Sequence, residues 1–126
     1  MTRIIVCGGR DFWDFIALKA ALDRIHKETP ITLLIHGNAS GADRLSGSWA
    51  KINNVSVHPV PAQWAKFGKS AGPRRNQNML GLKPDMIVAF PGGRGTADMV
   101  RRAFVAGVKV VHPPIDVPSE TAGEQS

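Results

Sequence analysis

The chain has one cysteine, Cys7, so no internal disulfide can hold it together. No apolar run approaches the roughly 20 residues of a membrane span. The N-terminus, MTRIIVCGGR, enters a short apolar run without the long apolar stretch and small-residue cleavage site of a secretory signal, so the expected compartment is the cytoplasm, with no membrane partner. His26, His36, His58 and His112 show no metal-ligand spacing and no cysteine pairs with them, so neither a metal nor another cofactor is expected. The P-loop pattern GxxxxGK[ST] is missing, and so is GxGxxG after the first apolar run. Acids are missing from Trp64 to Lys83, a stretch with five basic residues, and basic residues are missing from Pro113 onward.

What remains is a chain of 126 residues, enough for one domain. Apolar residues make up 43% and charged residues 21%, a globular balance. The net charge is +6, and because three acids lie after Pro113, the body through His112 holds sixteen basic against seven acidic residues, or +9. Such a body favours anionic partners: phosphates, nucleotides or nucleic acid.

Residues 3–8, 31–36 and 85–90 read as short strands buried on both faces, and 55–60 and 108–112 read as weaker ones. Helical patterns alternate with them. Phe15, Leu18, Leu22 and Ile25 form one face, with Asp14 as N-cap and Thr29-Pro30 as the stop. Ala42, Leu45, Trp49 and Ile52 form a second face, and Met99, Val100, Ala103 and Phe104 a third ending at Gly107. A shorter helix is predicted from Pro73 to Leu80. This alternation defines an α/β fold, a three-layer Rossmann-like domain with a mainly parallel five-stranded sheet in the order 3-2-1-4-5. The domain spans residues 1–112, and 113–126 is expected to be a loose tail.

The turns after strands one, two and four are glycine-rich, and in an open parallel sheet all three face the ligand-binding edge. They supply Gly8, Gly9 and Arg10; Gly37, Asn38, Ser40, Gly41 and Asp43; and Pro91, Gly92, Gly93, Arg94, Gly95 and Thr96. Glycine lets a ligand approach the backbone, and two of these turns open helices whose first N–H groups lack partners, which together describe a phosphate cradle. A second constellation, AGPRRNQNM at 71–79, places Arg74 and Arg75 at a helix start with Asn76 and Asn78 following, a pattern suited to bidentate anion recognition. Trp13 and Trp64 are placed in loops near the crevice, where either packs as a lid or stacks on a base. Cys7 and Trp49 are expected in the core.

Four motifs in order, GGRDFWD at 8–14, HGNASGAD at 36–43, AGPRRNQNM at 71–79 and FPGGRGTAD at 90–98, resemble the SLOG superfamily, in particular its YspA, cpYpsA-related branch, over about residues 3–112. The resemblance implies a Rossmann-like nucleotide-binding fold. It is shared with the Lonely Guy phosphoribohydrolases, with DNA-processing proteins and with sensors of nucleotide-derived signals in bacteria and phages. Against the phosphoribohydrolase signature PGGxGTxxE, residues Pro91, Gly92, Gly93, Gly95 and Thr96 match, which implies phosphate binding by that turn. The Glu position is Met99, and the nearest acid is Asp98. Against HxRKxxM, Arg75 and Met79 match, while His is replaced by Pro73 and Lys by Asn76. Asp98 and Arg75 are therefore the candidate catalytic residues for N-glycosidic cleavage, with Asp43 as a further carboxylate. The expected function is binding of a nucleotide or nucleotide-derived ligand, as a sensor or slow processing domain. The alternatives are a nucleoside-monophosphate hydrolase and a weak, charge-driven binder of single-stranded nucleic acid. A homodimer is also expected from the resemblance.

Overall fold

The computed structural model describes residues 1–115, so most of the expected tail lies outside the described residues. Among the described residues five strands, β1 (Thr2–Cys7), β2 (Ile31–His36), β3 (Ser56–Pro59), β4 (Met86–Ala89) and β5 (Lys109–Val111), form one sheet in the order β3-β2-β1-β4-β5. Every pairing is parallel, with Ile4 opposite Leu34 on one side of β1 and Ile5 opposite Ile87 on the other. The expected architecture and strand order are those observed.

Five α-helices among the same residues connect the strands: α1 (Phe15–Glu28), α2 (Ala42–Ile52), α3 (Trp64–Phe67), α4 (Ala71–Leu80) and α5 (Arg94–Val105). Strand side chains alternate between the two faces, so the central strands serve two cores. Ile4, Val6, Leu34, Val88 and Phe90 pack under α1 and α2, with Leu18, Leu22 and Trp49. Ile5, Cys7, Ile35, Ile87 and Ala89 pack under α4 and α5, with Met79, Met99 and Ala103. The first two helices therefore cover one face, and the last two cover the other. The direction of winding changes between β1 and β4, which is where such sheets open a crevice.

Local chemistry sets the helix ends. The Asp14 carboxylate accepts from the Ala17 amide at 3.0 Å and caps α1 as expected. α4 starts at Ala71, two residues before the predicted start, because Pro73 falls in a first turn where its missing N–H goes unused. Two predicted helix faces need correction at their ends. Ile52 on α2 and Phe104 on α5 are exposed; Phe104 lies about 100° round the helix from the buried Ala103, off the stripe that faces the sheet. Trp64 is also corrected: it opens the one-turn α3, followed by a 3₁₀ turn at Gly68–Ser70, and is not in a loop. Among the described residues no helix is long and apolar enough to cross a membrane.

Candidate functional site

The glycine turns meet, but much of their glycine serves the meeting itself. The Gly9 amide donates to the Pro91 carbonyl at 2.8 Å, and the Gly9 carbonyl accepts from the amides of Phe12 and Ala42. A Cβ on Gly8 would lie 2.6 Å from the Ala42 side chain, and one on Gly9 would lie 3.0 Å from the Pro91 carbonyl oxygen. A Cβ on Gly41 would fall on the Gly9 carbonyl, and one on Gly92 on the Thr96 hydroxyl. These four glycines let the turns after β1, β2 and β4 interlock. Gly93 and Gly95 differ, because nothing lies within 4 Å of where their side chains would be.

The N-termini of α2 and α5 at this edge differ in the same way. The protein occupies that of α2. Ala42 donates to Gly9, and the Asp43 carboxylate turns back to accept from the amides of Gly37 (3.1 Å) and Ala39 (3.2 Å). That of α5 has no side-chain cap among the described residues, and its first helical bond is from Ala97 to the Gly93 carbonyl at 3.0 Å. The preceding amides are those a helix leaves without internal partners.

Nine of the predicted site residues line two cavities on the same sheet edge, not one cradle, and Gly8, Gly9, Gly41 and Asp43 line neither. The larger, about 620 Å³, lies after β4 and β5. Pro91, Gly92, Gly93 and Thr96 form its polar end, and Val100, Phe104 and Pro113 form an apolar wall. The smaller, about 260 Å³, lies after β2 and β3, where Arg10, Gly37, Asn38, Ser40 and Arg75 meet Pro61, Ala62 and Trp64. Arg94 and Gly95 are exposed in the first turn of α5 beside the larger cavity. The crossing of the β1 turn over the β4 turn separates the two.

Arg75 anchors the smaller cavity. Its Nη1 donates to the Gly37 carbonyl at 2.6 Å and its Nε to Asn76 Oδ1 at 3.0 Å. Burial pulls the guanidinium below its usual range; Asp43 opposes this shift and the nearby Arg10 adds to it. Arg10 lies over the Trp64 ring, 5.5 Å from its centroid. Below them His36 is buried, its Nδ1 accepting from the Asn38 amide at 2.9 Å. Burial depresses its pKa, and Arg44 and Arg75 depress it further. Asp43 is pushed up by burial, against the hydrogen bonds from Ala39 and Gly37 and the charges of Arg75 and Arg10.

Three expected ligand contacts are placed elsewhere. Arg74 points away from the cavity, with its Nε on the Ser70 hydroxyl and its guanidinium 4.3 Å from the Phe67 ring centroid. Asn78 is exposed on α4, and the buried amide is that of Asn76. Asp98 lines neither cavity. Its carboxylate accepts from Asn76 Nδ2 (3.0 Å), Arg101 Nη2 (2.7 Å) and Arg102 Nε (2.8 Å). Burial raises its pKa, but those hydrogen bonds outweigh it and hold the group below the usual carboxylate range. The one-residue offset from the signature Glu position thus turns the acid into the α4–α5 junction. Asn76 shares the buried face of α4 with Gly72, Met79 and Leu80, and its spacing on that face is the one sequence signal that could have found it.

Fold and edge together define a doubly wound, Rossmann-like α/β domain with its polar sites outside the carboxyl ends of the strands. The YspA, cpYpsA-related SLOG family matches residues 2–67. The "Gene 61 protein" of Mycobacterium phage D29 is 34% identical over 120 residues, covering 89% of this chain and 96% of that protein. The chain belongs to the YspA, cpYpsA-related SLOG family. Two solved structures share the fold. DNA processing protein A (DprA) from Streptococcus pneumoniae has a TM-score of 0.57 at 15% identity, over 88% of this chain and 58% of that one. MurG from Acinetobacter baumannii has a TM-score of 0.56 at 14% identity, over 87% of this chain and 34% of that one. The chain spans only part of the length of either.

Proposed function

We propose that this domain binds a nucleotide or nucleotide-derived ligand at the carboxyl edge of its sheet, with a phosphate on the backbone N–H groups of the Gly93–Thr96 turn. The observation that carries this reading is the uncapped N-terminus of α5. The helix is twelve residues long, its opening glycines face open space, and its partial positive charge is available to an anion. Membership of the SLOG family and the basic body support the same reading. The apolar wall of Val100, Phe104 and Pro113 beside that turn suits a base or sugar face.

The acids favour binding over turnover. Asp98 is held by two arginines and an amide, and Asp43 is committed to two backbone amides. With both oxygens engaged, Asp98 is not free to accept a proton from water or to face a developing oxocarbenium ion, and Asp43 holds the loop through one oxygen, Oδ2. The domain is therefore a binding or sensing module with slow or no cleavage of ordinary nucleoside monophosphates.

Gly93→Asp tests this, because it puts a negative charge where the anion would sit without meeting any neighbour. Thermal-shift stabilisation by AMP, GMP, CMP or UMP is expected to disappear while the circular dichroism spectrum is kept. Unchanged stabilisation, or single-stranded DNA outcompeting the mononucleotides at physiological salt, overturns the reading.

A further inference from the structure

The smaller cavity contains an electrostatic conflict that its own side chains leave unresolved. Arg10 and Arg75 bring two guanidinium groups to one space of about 260 Å³. The Arg10 carbonyl accepts from the Ser40 hydroxyl at 3.3 Å, but its guanidinium has no hydrogen-bonded or ion-paired partner among the described residues and lies over the Trp64 ring. Arg75 spends Nε and Nη1 on Asn76 and the Gly37 carbonyl, which fixes the plane of the fork and leaves Nη2 unused among the described contacts. The nearest acid, Asp43, is buried behind the loop and turned to the amides of Gly37 and Ala39. Asn38 and Ser40 complete the rim with a left-handed backbone (φ 59° at Asn38) and a hydroxyl. Two like charges share one buried carboxylate, Asp43, which attracts both from behind the loop, so their open side makes a site for an anion with several acceptor oxygens.

This cavity is also tied to the α5 turn. Arg75 Nε donates to Asn76 Oδ1, and Asn76 Nδ2 donates onward to the Gly95 carbonyl (3.3 Å) and to Asp98. One buried amide therefore fixes both the guanidinium of one cavity and the first turn of the helix beside the other. Both cavities open on the carboxyl edge, one after β2 and the other after β4, on either side of β1. With strands about 4.8 Å apart, those two strand ends are about 10 Å apart.

We propose that the Arg10–Arg75–Trp64 cavity is a second phosphoryl subsite, and that the ligand of this domain is a small molecule carrying two separated phosphoryl groups, such as a short 5′-phosphorylated dinucleotide. The inference rests on the phosphate-binding reading of the Gly93–Thr96 turn. Arg10 and Arg75 take one phosphoryl group, the α5 turn takes the other, and the Gly9–Pro91 crossing lies beneath the link between them. Trp64 is a positioning residue that holds the Arg10 guanidinium over the cavity.

Titration of inorganic phosphate into nitrogen-15-labelled protein, followed by amide shifts, reads the two subsites separately. Two sets of amides, Asn38–Ser40 and Arg94–Thr96, are expected to move with different apparent affinities. Arg10→Ala, which removes an exposed side chain with no hydrogen bonds, should abolish the first set and keep the second, and Gly93→Asp should do the reverse. Movement of the Arg94–Thr96 set alone overturns the second subsite and leaves the proposed function standing. Movement of the Asn38–Ser40 set alone overturns the phosphate turn, and the two-phosphoryl ligand with it. In calorimetry, pApA should bind wild-type protein at least tenfold more tightly than AMP, and that advantage should vanish in Arg10→Ala. Equal affinities for pApA and AMP in the wild type overturn the proposal.

Discussion

Two glycines in neighbouring turns show how differently one residue type is used. Gly41 has φ 77°, and a side chain there would run into the Gly9 carbonyl, whereas Gly93 looks into open space. Gly41→Ala should therefore cost about 2–4 kcal/mol, from backbone strain plus a backbone clash that no rotamer relieves. Gly93→Ala should stay within about 0.5 kcal/mol of wild type. Urea denaturation of both variants checks the contrast, and equal losses would contradict this division of roles. Sequence alone could not separate them, because both stand in G-rich turns that open helices. The acids were misleading for a related reason. Asp43 is engaged by amides 4 and 6 positions away, and Asp98 by arginines 3 and 4 positions away and by Asn76, 22 positions away. Of these contacts only the one with Asn76 depends on tertiary structure.

At the scale of elements, the strands were legible because central parallel strands, buried on both faces, must be apolar throughout, as Ile4-Ile5-Val6 and Ile87-Val88-Ala89 are. The α3 turn was not legible, since four residues show no helical period. It nevertheless carries Trp64 to the wall of the smaller cavity. The positions of Arg74 and Arg75 were equally opaque: adjacent side chains on a helix diverge by about 100°, and only α4's docking decides which turns inward. That docking depends on Asn76. Asn76→Ala removes its bonds to Arg75, the Gly95 carbonyl and Asp98 and leaves buried polar groups without partners, so a loss of about 1–3 kcal/mol is expected. Amide exchange should rise in α4 and the first turn of α5 and stay unchanged in α1. Uniform acceleration across all helices would show that Asn76 does not link these two elements in particular.

For the whole molecule, His36 sets a pH limit. Burial and two arginines hold its folded pKa below the ordinary value of 6.5. The unfolded chain therefore takes up a proton first as pH falls, and stability declines below pH 6.5 until the folded state also protonates. Asp43 acts in the opposite sense. Its raised pKa means that protonation favours the folded form in a window that begins above its ordinary value of 3.8. The expected profile is a fall in stability on the acid side of 6.5, softened at lower pH by Asp43. Urea midpoints between about pH 5.5 and 7.5, a unit either side of that value, test it. His36→Asn, which keeps an acceptor for the Asn38 amide, should flatten the slope. A variant with the wild-type slope would assign the decline to another group.

The two outermost strands have a consequence for how copies of this molecule can meet. β3 is four residues long and ends in Pro59, and β5 is three residues long and opens on exposed Lys109. Neither offers a long run of unpaired amides and carbonyls to a neighbour, and proline and lysine are residues that discourage edge-to-edge pairing. Growth of the sheet from molecule to molecule is thus blocked at both ends. Among the described residues, self-association is left to helix and loop surfaces, where Phe104 and Val105 stand 82% and 79% exposed. In any assembly formed that way, the strands of each copy would remain its own.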